Sequence, residues 1–237
     1  MSPSPFLGEF AGTALLIVMG NGVVANVVLN KTKGQHSGWI VITFGWAMAV
    51  FLGVYASVTL GGSGHLNPAV TIALTAFSDF SPSLLATYVG AQFLGAIAGS
   101  LLVWLCYQQH FAQTEDKDGK LAVFCTAPAI RNTGNNLVTE MIGTFILMFG
   151  ALSMSKSAAS LGALDALPVA LLILGIGLSL GGPTGYAINP ARDLGPRIVH
   201  FILPISNKRD SDWGYSWIPV VGPILGALAA AWIFSTL

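Results

Sequence analysis

The chain alternates long apolar stretches with short polar interruptions. About 20 helical residues are needed to cross roughly 30 Å of hydrocarbon. Two further apolar stretches are too short to cross. The pattern predicts six membrane-crossing helices near 5–29, 38–60, 83–109, 136–156, 166–183 and 216–236, and two shorter helices near 68–77 and 190–200. The expected class is therefore an all-α membrane protein.

Both short stretches begin at the same tripeptide. The copies are Asn67-Pro68-Ala69 and Asn189-Pro190-Ala191. Proline suits the first turn of a helix because its missing N–H would be unpaired there anyway. A short helix that enters a membrane from a loop is tolerated only where the irregular backbone is buried in protein or lines a cavity. We therefore expect two re-entrant half-helices.

The chain divides into two related halves. Glu9-Phe10-Ala11-Gly12-Thr13 opens the first predicted span, and Glu140-Met141-Ile142-Gly143-Thr144 opens the fourth. Each half has an odd number of crossings, so the second half must be inserted upside down, with the functional site near the midplane between them. We expect one domain over 1–237. Its first repeat covers about 1–112, an exposed connecting loop about 113–135, and the second repeat about 136–237.

Composition supports burial in lipid. Charged residues make up 8% of the chain and hydrophobic residues 54%, and the mean hydropathy is +0.72, whereas a soluble domain carries about 25% charged residues. The net charge is zero without a basic cluster, so no nucleic-acid partner is expected. Cys106 and Cys125 have no metal-ligand spacing. No nucleophile with a base is apparent, so we expect neither an enzyme nor a cofactor or metal.

The residues before each Asn-Pro suggest a polar lane. They cannot be helical, so their carbonyls are expected to be free acceptors: Gly64, His65, Leu66, Ala187 and Ile188. The side-chain amides of Asn67 and Asn189 can donate hydrogen bonds into the lane. Each half-helix start carries roughly half a positive charge, which repels cations and protons. Such a lane suits small neutral hydroxylated molecules.

These segments resemble a known family. Ser63-Gly64-His65-Leu66-Asn67-Pro68-Ala69-Val70-Thr71 and Gly185-Tyr186-Ala187-Ile188-Asn189-Pro190-Ala191-Arg192-Asp193 are similar to the two pore loops of the aquaporin superfamily. The resemblance covers essentially the whole chain. It implies an aquaporin-like inverted repeat and a homotetramer with one pore per subunit. It also implies a location in the plasma membrane with both termini in the cytoplasm.

Within that superfamily, the resemblance is to the glycerol-conducting, or aquaglyceroporin, branch. Asp193, Arg197 and Pro219-Val220 match residues of that branch. The resemblance implies a selectivity filter of Trp46, Gly177, Tyr186 and Arg192. Two aromatic rings make an apolar corner, the guanidinium supplies donors, and Gly177 leaves room for Tyr186. Many glycerol facilitators have Phe at the Tyr186 position, so the extra hydroxyl either narrows the path or adds a hydrogen bond.

Three acidic residues are expected to support the loops. Symmetric placement of Glu9 and Glu140 favours acceptance of hydrogen bonds from the amides of the re-entrant loops over a proton relay. Asp193 is expected to pair with Arg197 one turn on.

The sequence thus predicts a passive channel for glycerol and similar small uncharged solutes that also passes water. The alternatives are a channel for urea, dihydroxyacetone or protonated lactic acid, a mainly water-selective channel, a proton-coupled transporter that uses Glu9 and Glu140, and a structural junction protein. The positive-inside rule conflicts with the implied orientation. Only Lys156 lies on the implied inside, and Lys31, Lys33, Lys117, Lys120, Arg131, Lys208 and Arg209 lie outside.

Overall fold

The computed structural model describes residues 2–155 and 164–237, which form helices joined by short segments and contain no strand. Lys156 lies outside the described residues. The helices within that part are α1 (Pro5–Val28), α2 (Trp39–Thr59), α3 (Pro68–Phe77), α4 (Leu85–Gln113), α5 (Lys117–Ala122), α6 (Thr133–Ser155), α7 (Leu167–Leu180), α8 (Pro190–Ile202) and α9 (Ile218–Ser235). A 3-10 turn over Pro82–Leu84 precedes α4.

The six predicted spans correspond to α1, α2, α4, α6, α7 and α9, which confirms the predicted class of fold. Five of these helices have the length and apolar composition of a membrane span. The sixth, α7, has 14 residues and is about 21 Å long at 1.5 Å per residue. It ends at Leu180 rather than at 183, because Gly181-Gly182-Pro183 follows and the residue before a proline disfavours helical geometry.

The two half-helices start at the prolines that the sequence indicated. The first, α3, covers Pro68–Phe77 as predicted, and α8 covers Pro190–Ile202, two residues beyond the predicted end. Both begin with an extended asparagine before the proline. Proline in the first turn fixes where the helix starts, because the missing N–H costs nothing there.

Helix packing repeats between the halves. In the first half α1 packs against α4, and in the second half α6 packs against α9 in the same way. Each half-helix packs against a long helix of the other half, α3 against α9 and α8 against α4. The halves are therefore interlocked, and the starts of α3 and α8 are held in the interior of one bundle.

Glycines allow the long helices to approach closely. A Cβ atom on Gly12 of α1 would lie 2.6 Å from the carbonyl oxygen of Gly53 on α2. A Cβ on Gly99 of α4 would lie 2.6 Å from the carbonyl oxygen of Ala14 on α1. Helix interfaces in lipid are enriched in small residues that allow such close backbone approach. Alanine at either position would force the helices apart.

The connecting segment between the repeats is more buried than expected. It was predicted to be an exposed loop, but it contains α5, and residues 119–121 and 123–126 are buried. The ring of Phe124 packs against Phe111 and His200, with centroids 5.6 and 5.4 Å away. Lys120 donates a hydrogen bond of 2.6 Å to the carbonyl of Ser206. The apolar run 121–125 is the sequence signal for this burial. The segment packs against the last turn of α8 through Phe124 and His200.

Candidate functional site

The first turns of the two half-helices are capped by their asparagines. Asn67 has φ −152° and Asn189 has φ −158°. The side-chain oxygen of Asn67 accepts a hydrogen bond of 2.9 Å from the N–H of Ala69. That of Asn189 accepts hydrogen bonds of 3.0 and 3.2 Å from the N–H groups of Ala191 and Arg192. Because the side-chain oxygen of each asparagine faces the first turn of its own helix, the amide nitrogen points away from that turn.

Each asparagine also binds the loop of the other half. The Asn67 amide donates to the carbonyl of Ile188 at 2.8 Å, and the Asn189 amide donates to the carbonyl of Leu66 at 2.8 Å. The two half-helix starts therefore meet. An NH₂ group has two donors, so one N–H of each amide remains. The carbonyls of Leu66 and Ile188 were expected to be free, and each instead has one of its two lone pairs in use.

The loops that lead to the asparagines adopt backbone conformations that residues with a Cβ rarely populate. Leu66, Tyr186 and Ile188 have φ values of 51°, 37° and 44°. Non-glycine residues in this region cost about 1–3 kcal/mol each and persist only where surrounding contacts hold them. The strain is therefore evidence of strong anchoring at both loops.

Glu9 anchors the first loop. Its carboxylate accepts hydrogen bonds from the N–H groups of His65 at 3.0 Å and Leu66 at 2.8 Å. It also accepts from the Ser57 hydroxyl at 3.0 Å and the Gln92 amide at 2.8 Å. The side chain is fully buried, and four donors compensate the cost of burying an ionised carboxylate.

Glu140 holds the second loop in the matching way. Its two oxygens accept hydrogen bonds from the N–H groups of Ala187 at 3.0 Å and Ile188 at 2.8 Å. The structure therefore contains the loop amide contacts that the symmetric placement of Glu9 and Glu140 suggested. Neither glutamate is among the residues that line the two cavities described below.

A cavity of about 400 Å³, here called the central cavity, runs past both asparagines. One wall is polar and comes from the two re-entrant loops: Gly64, His65, Leu66, Asn67, Ala187, Ile188 and Asn189. The other wall is apolar and comes from α1, α2, α6 and α7: Leu16, Val50, Val54, Leu147, Met148, Val169 and Ile173. The fold thus builds a lane whose two sides differ in chemistry.

A second cavity of about 610 Å³, here called the end cavity, lies beside the connecting segment. Trp46, Tyr186 and Arg192 line both cavities, and we call these three residues the neck. All three are buried, with Tyr186 6% and Arg192 7% exposed. The neck therefore contains three of the four residues that the resemblance assigned to a filter.

The side chains of the neck are fixed by aromatic contacts. The Arg192 guanidinium carbon lies 4.3 Å from the ring centroid of Trp46, a cation–π distance. The Tyr186 ring lies edge-on to the ring of Trp39, with centroids 5.8 Å apart. The Arg192 guanidinium is thus held against the Trp46 ring, and the Tyr186 ring is held against the Trp39 ring.

Gly177, the fourth residue assigned to the filter, is not among the residues lining either cavity. A Cβ atom at Gly177 would lie 2.9 Å from Tyr186 Cζ and 2.9 Å from the Thr43 methyl carbon. The Gly177 carbonyl accepts a hydrogen bond of 3.0 Å from the Trp39 indole. Gly177 therefore affects the neck indirectly, by leaving space for the tyrosine ring.

Behind Arg192, a buried ion pair ties α8 to the connecting segment. Arg197 Nη2 lies 2.8 Å from the carboxylate of Asp193, and both side chains are fully buried. The other oxygen of Asp193 accepts hydrogen bonds of 2.7 Å from the N–H and the hydroxyl of Thr126. Arg197 also donates to the carbonyls of Thr126 and Ser211 at 2.8 and 2.7 Å. This network holds the first turn of α8, which carries Arg192.

A lysine satisfies the far end of the same half-helix. The Lys208 ammonium donates to the carbonyls of His200, Phe201 and Leu203 at the end of α8. A cation there complements the partial negative charge of the last turn. Burial lowers the pKa of Lys208 from its ordinary value.

Comparison with known proteins identifies the family of this chain. A model of the family described as "Major intrinsic protein" matches residues 3–234. The chain belongs to the major intrinsic protein family. It is 54% identical over 234 residues to a Thermotoga maritima protein named "Probable glycerol uptake facilitator protein", with 99% of both chains covered. It is 53% identical to the "Glycerol uptake facilitator protein" of Streptococcus pneumoniae strain R6, with 96% of this chain and 97% of that protein covered.

A solved structure is also similar to this major intrinsic protein. The aquaglyceroporin from Plasmodium falciparum matches with a TM-score of 0.87 and 32% sequence identity, covering 98% of this chain and 95% of that one. The similarity covers nearly the whole chain and therefore concerns the overall fold. The chain is thus a multi-pass membrane protein of a channel family.

Sequence reasoning missed several residues that hold the site of this major intrinsic protein. Trp39 and Thr126 make the contacts described above, and Ser57 and Gln92 bind Glu9. Of these residues only Gln92 lies in a segment, Gly90-Ala91-Gln92, that also fits the resemblance to the aquaporin superfamily. The contact between Trp39 and Gly177 joins positions 138 residues apart, and a spacing pattern along the chain does not reveal such a pair.

Proposed function

We propose that this chain is a passive channel for glycerol and similar small uncharged solutes, and that it also passes water. The observation that carries this proposal is the central cavity, whose polar and apolar walls lead past both asparagines to the neck. The names of the relatives that are 54% and 53% identical support glycerol as the solute.

The chemistry of the cavity walls fits a polyol. Glycerol has hydroxyl groups along one side of a short carbon chain and C–H groups along the other. Loop carbonyls and the remaining asparagine N–H groups replace water around the hydroxyls, while the valine and leucine wall contacts the carbons. A polar solute crosses readily only if its hydrogen bonds with water are replaced. No coupling or catalytic step is needed for such passage, so we propose a transporter rather than an enzyme.

The charge distribution supports the exclusion of ions. The positive ends of two helix dipoles meet at Asn67 and Asn189, and Arg192 adds a full positive charge at the neck. Together they make the lane unfavourable for cations and protons. A proton relay through Glu9 and Glu140 is disfavoured because both carboxylates accept loop hydrogen bonds and neither is among the residues lining the cavities.

In this proposal Trp46, Tyr186 and Arg192 form the selectivity filter, and Gly177 shapes it from behind. Pro68, Ala69, Pro190 and Ala191 start the half-helices, while Asn67 and Asn189 provide the central donors. Gly64, His65, Leu66, Ala187 and Ile188 provide loop carbonyls, and Glu9, Glu140 and Asp193 hold the loops. Repeat 1, the connecting segment and repeat 2 together make one channel domain.

We further propose a homotetramer in the plasma membrane, with one pore per subunit and both termini in the cytoplasm. This orientation puts the connecting segment outside the cell, against the positive-inside rule. Its exposed tip, which includes Ile130 at 80% exposure, offers a site for an epitope tag. Antibody access to the tag in intact cells is the expected result, and access only after permeabilisation would reverse the orientation.

The decisive experiment is stopped-flow light scattering on liposomes that contain the purified protein. Under an inward glycerol gradient we expect shrinkage followed by reswelling that is faster than in empty liposomes. An impermeant osmolyte gives the water permeability in the same preparation. Fast water flow without glycerol entry would overturn the proposal in favour of a water-selective channel.

A further inference from the structure

One face of α1 runs along both cavities. Leu16 lines the central cavity and Val24 lines the end cavity. Gly20 lies between them at a spacing of four residues, which places all three on the same side of the helix. Gly20 is buried but is not among the residues that line the cavities, and the ring of Trp46 lies against it. Since Trp46 borders both cavities, Gly20 lies directly behind the neck.

The ring of Trp46 is closer to α1 than a side chain at position 20 allows. A Cβ atom on Gly20 would lie 2.2 Å from Cζ3 of Trp46 and 2.4 Å from both Cε3 and Cη2. Carbon atoms pack at about 3.5–4.0 Å, so even the methyl group of alanine requires a displacement of about 1 Å or more. All three atoms belong to the six-membered ring of the indole. Because that ring is rigid, it must move as a whole.

The open space next to this ring is the path itself. The Trp46 side chain has the α1 backbone behind it, the Arg192 guanidinium lies 4.3 Å from its ring centroid, and the two cavities are the spaces that it borders. Helix α1 has little room to retreat, because a Cβ atom on Gly99 of α4 would already lie 2.6 Å from the carbonyl oxygen of Ala14. A displaced ring therefore moves into the path.

We propose that Gly20 is a positioning residue of the neck. Because it has no side chain, the Trp46 ring lies against the α1 backbone and leaves the path wide enough for glycerol. The inference rests on the proposed channel function and adds to it a residue outside the four that the resemblance assigned to the filter. Gly177 leaves space for Tyr186 in the same way, so each aromatic ring of the neck has a glycine behind it.

Alanine at position 20 should restrict glycerol more than water. Glycerol is wider than a water molecule, so a ring that shifts by about 1 Å obstructs glycerol first. Overpacking of a well-packed site is strong enough to slow passage by about tenfold. We therefore expect Gly20→Ala to lower the glycerol permeability of proteoliposomes by about tenfold and the water permeability by less than about threefold. The measured quantity is the ratio of the two permeabilities.

Two glycines on the same pair of helices provide matched controls. A Cβ atom on Gly22 of α1 would meet no neighbouring heavy atom of the described part of the chain within 4 Å. A Cβ atom on Gly45 of α2 would lie 2.6 Å from Cγ1 of Val23 on α1, and neither residue is among those lining the cavities. Gly45→Ala thus crowds α1 against α2 at a different side chain. Gly22→Ala and Gly45→Ala should both keep the wild-type permeability ratio.

The background Trp46→Phe tests whether the effect acts through the ring. A phenyl ring is smaller than an indole and gives the new methyl group room. Residues in contact show non-additive effects, whereas distant residues do not. We expect Gly20→Ala to lower the glycerol-to-water ratio by about threefold or more in the wild-type background, and to change it by less than about twofold in the Trp46→Phe background.

Each outcome decides the question. An unchanged ratio in Gly20→Ala, an equal loss in Gly45→Ala, or the same loss in the Trp46→Phe background overturns the inference. If Gly20→Ala does not elute as a folded protein in gel filtration, recovery of folded protein in Gly20→Ala/Trp46→Phe supports the contact, and failure to recover it overturns the inference. Absence of glycerol flux above empty liposomes in the wild type would instead refute the proposed function.

Discussion

Arg197→Met tests how strongly the network behind the neck stabilises the protein. The arginine and Asp193 form a 2.8 Å ion pair in which both side chains are fully buried. Arg197 also donates to the carbonyls of Thr126 and Ser211. Methionine fills part of the volume but leaves the carboxylate buried without its cation, although Thr126 still donates two hydrogen bonds to it. Removal of one partner from a buried pair typically costs about 3–5 kcal/mol.

The assay is the apparent melting temperature of the purified protein, measured as the fraction that stays monodisperse in gel filtration after heating. For a chain of this size, 1 kcal/mol shifts the melting temperature by roughly 2–4 °C. We therefore expect Arg197→Met to lower it by about 6–20 °C. The matched control is Arg209→Met, which removes an arginine whose partners Asp118 and Asp210 have side chains 78% and 72% exposed. Such exposed pairs contribute about 0–1 kcal/mol.

A melting temperature of Arg197→Met within about 2 °C of Arg209→Met would refute this reasoning, since it corresponds to less than about 1 kcal/mol. The double variant Asp193→Asn/Arg197→Met separates the unpaired charge from lost packing. The amide oxygen of asparagine still accepts from Thr126, and no buried charge is left. We expect the double variant to be more stable than Arg197→Met alone. If it is not, lost packing rather than the unpaired carboxylate explains the effect.

Three further experiments test the site. Gly177→His should lower glycerol permeability about tenfold and water permeability less, because the new side chain displaces the Tyr186 ring; equal losses in the stopped-flow assay would contradict this. Glu140→Gln should lower the free energy of unfolding by about 1–3 kcal/mol, since one loop N–H then faces an NH₂ group. Glycerol flux through the wild type should be independent of an imposed pH gradient, and a flux that follows the gradient would support proton coupling instead. Asn132 lies just before α6, and its side-chain oxygen accepts a hydrogen bond of 3.0 Å from the N–H of Asn135. Asn189→Ala and the control Asn132→Ala should each lose a cap worth about 1 kcal/mol, but only the first should lower glycerol flux.

The half-helices were predictable because their signal is local. An asparagine cap followed by proline at the first turn specifies where a helix starts, and α3 and α8 begin at those prolines. The long spans were predictable because each needs a continuous apolar run. The end of α7 was misplaced at 183, since its apolar content outweighed the Gly181-Gly182-Pro183 signal that stops the helix at Leu180.

The supports of the neck were not predictable, because they depend on contacts between distant segments. Thr126 binds Asp193 across 67 positions, and Trp39 binds Gly177 across 138. Neither pair has a spacing that helical or strand periodicity reveals. The connecting segment looked like an exposed loop because its charged residues come first, whereas its apolar run 121–125 is the part that packs on α8. Burial of that run positions Thr126.

The two halves share the residues that position the re-entrant loops but differ at the residues that follow each Asn-Pro-Ala. The residues that both copies share, the asparagine, the proline and the glutamate, make matching contacts in each half. The position after each Asn-Pro-Ala differs: it is Val70 in the first copy and Arg192 in the second. The following position is Thr71 in the first copy, which accepts a hydrogen bond from Gln92. In the second copy it is Asp193, which accepts one from Arg197. Shared residues thus fix the geometry of both loops, and on our proposal the divergent residues of the second copy decide which solutes pass.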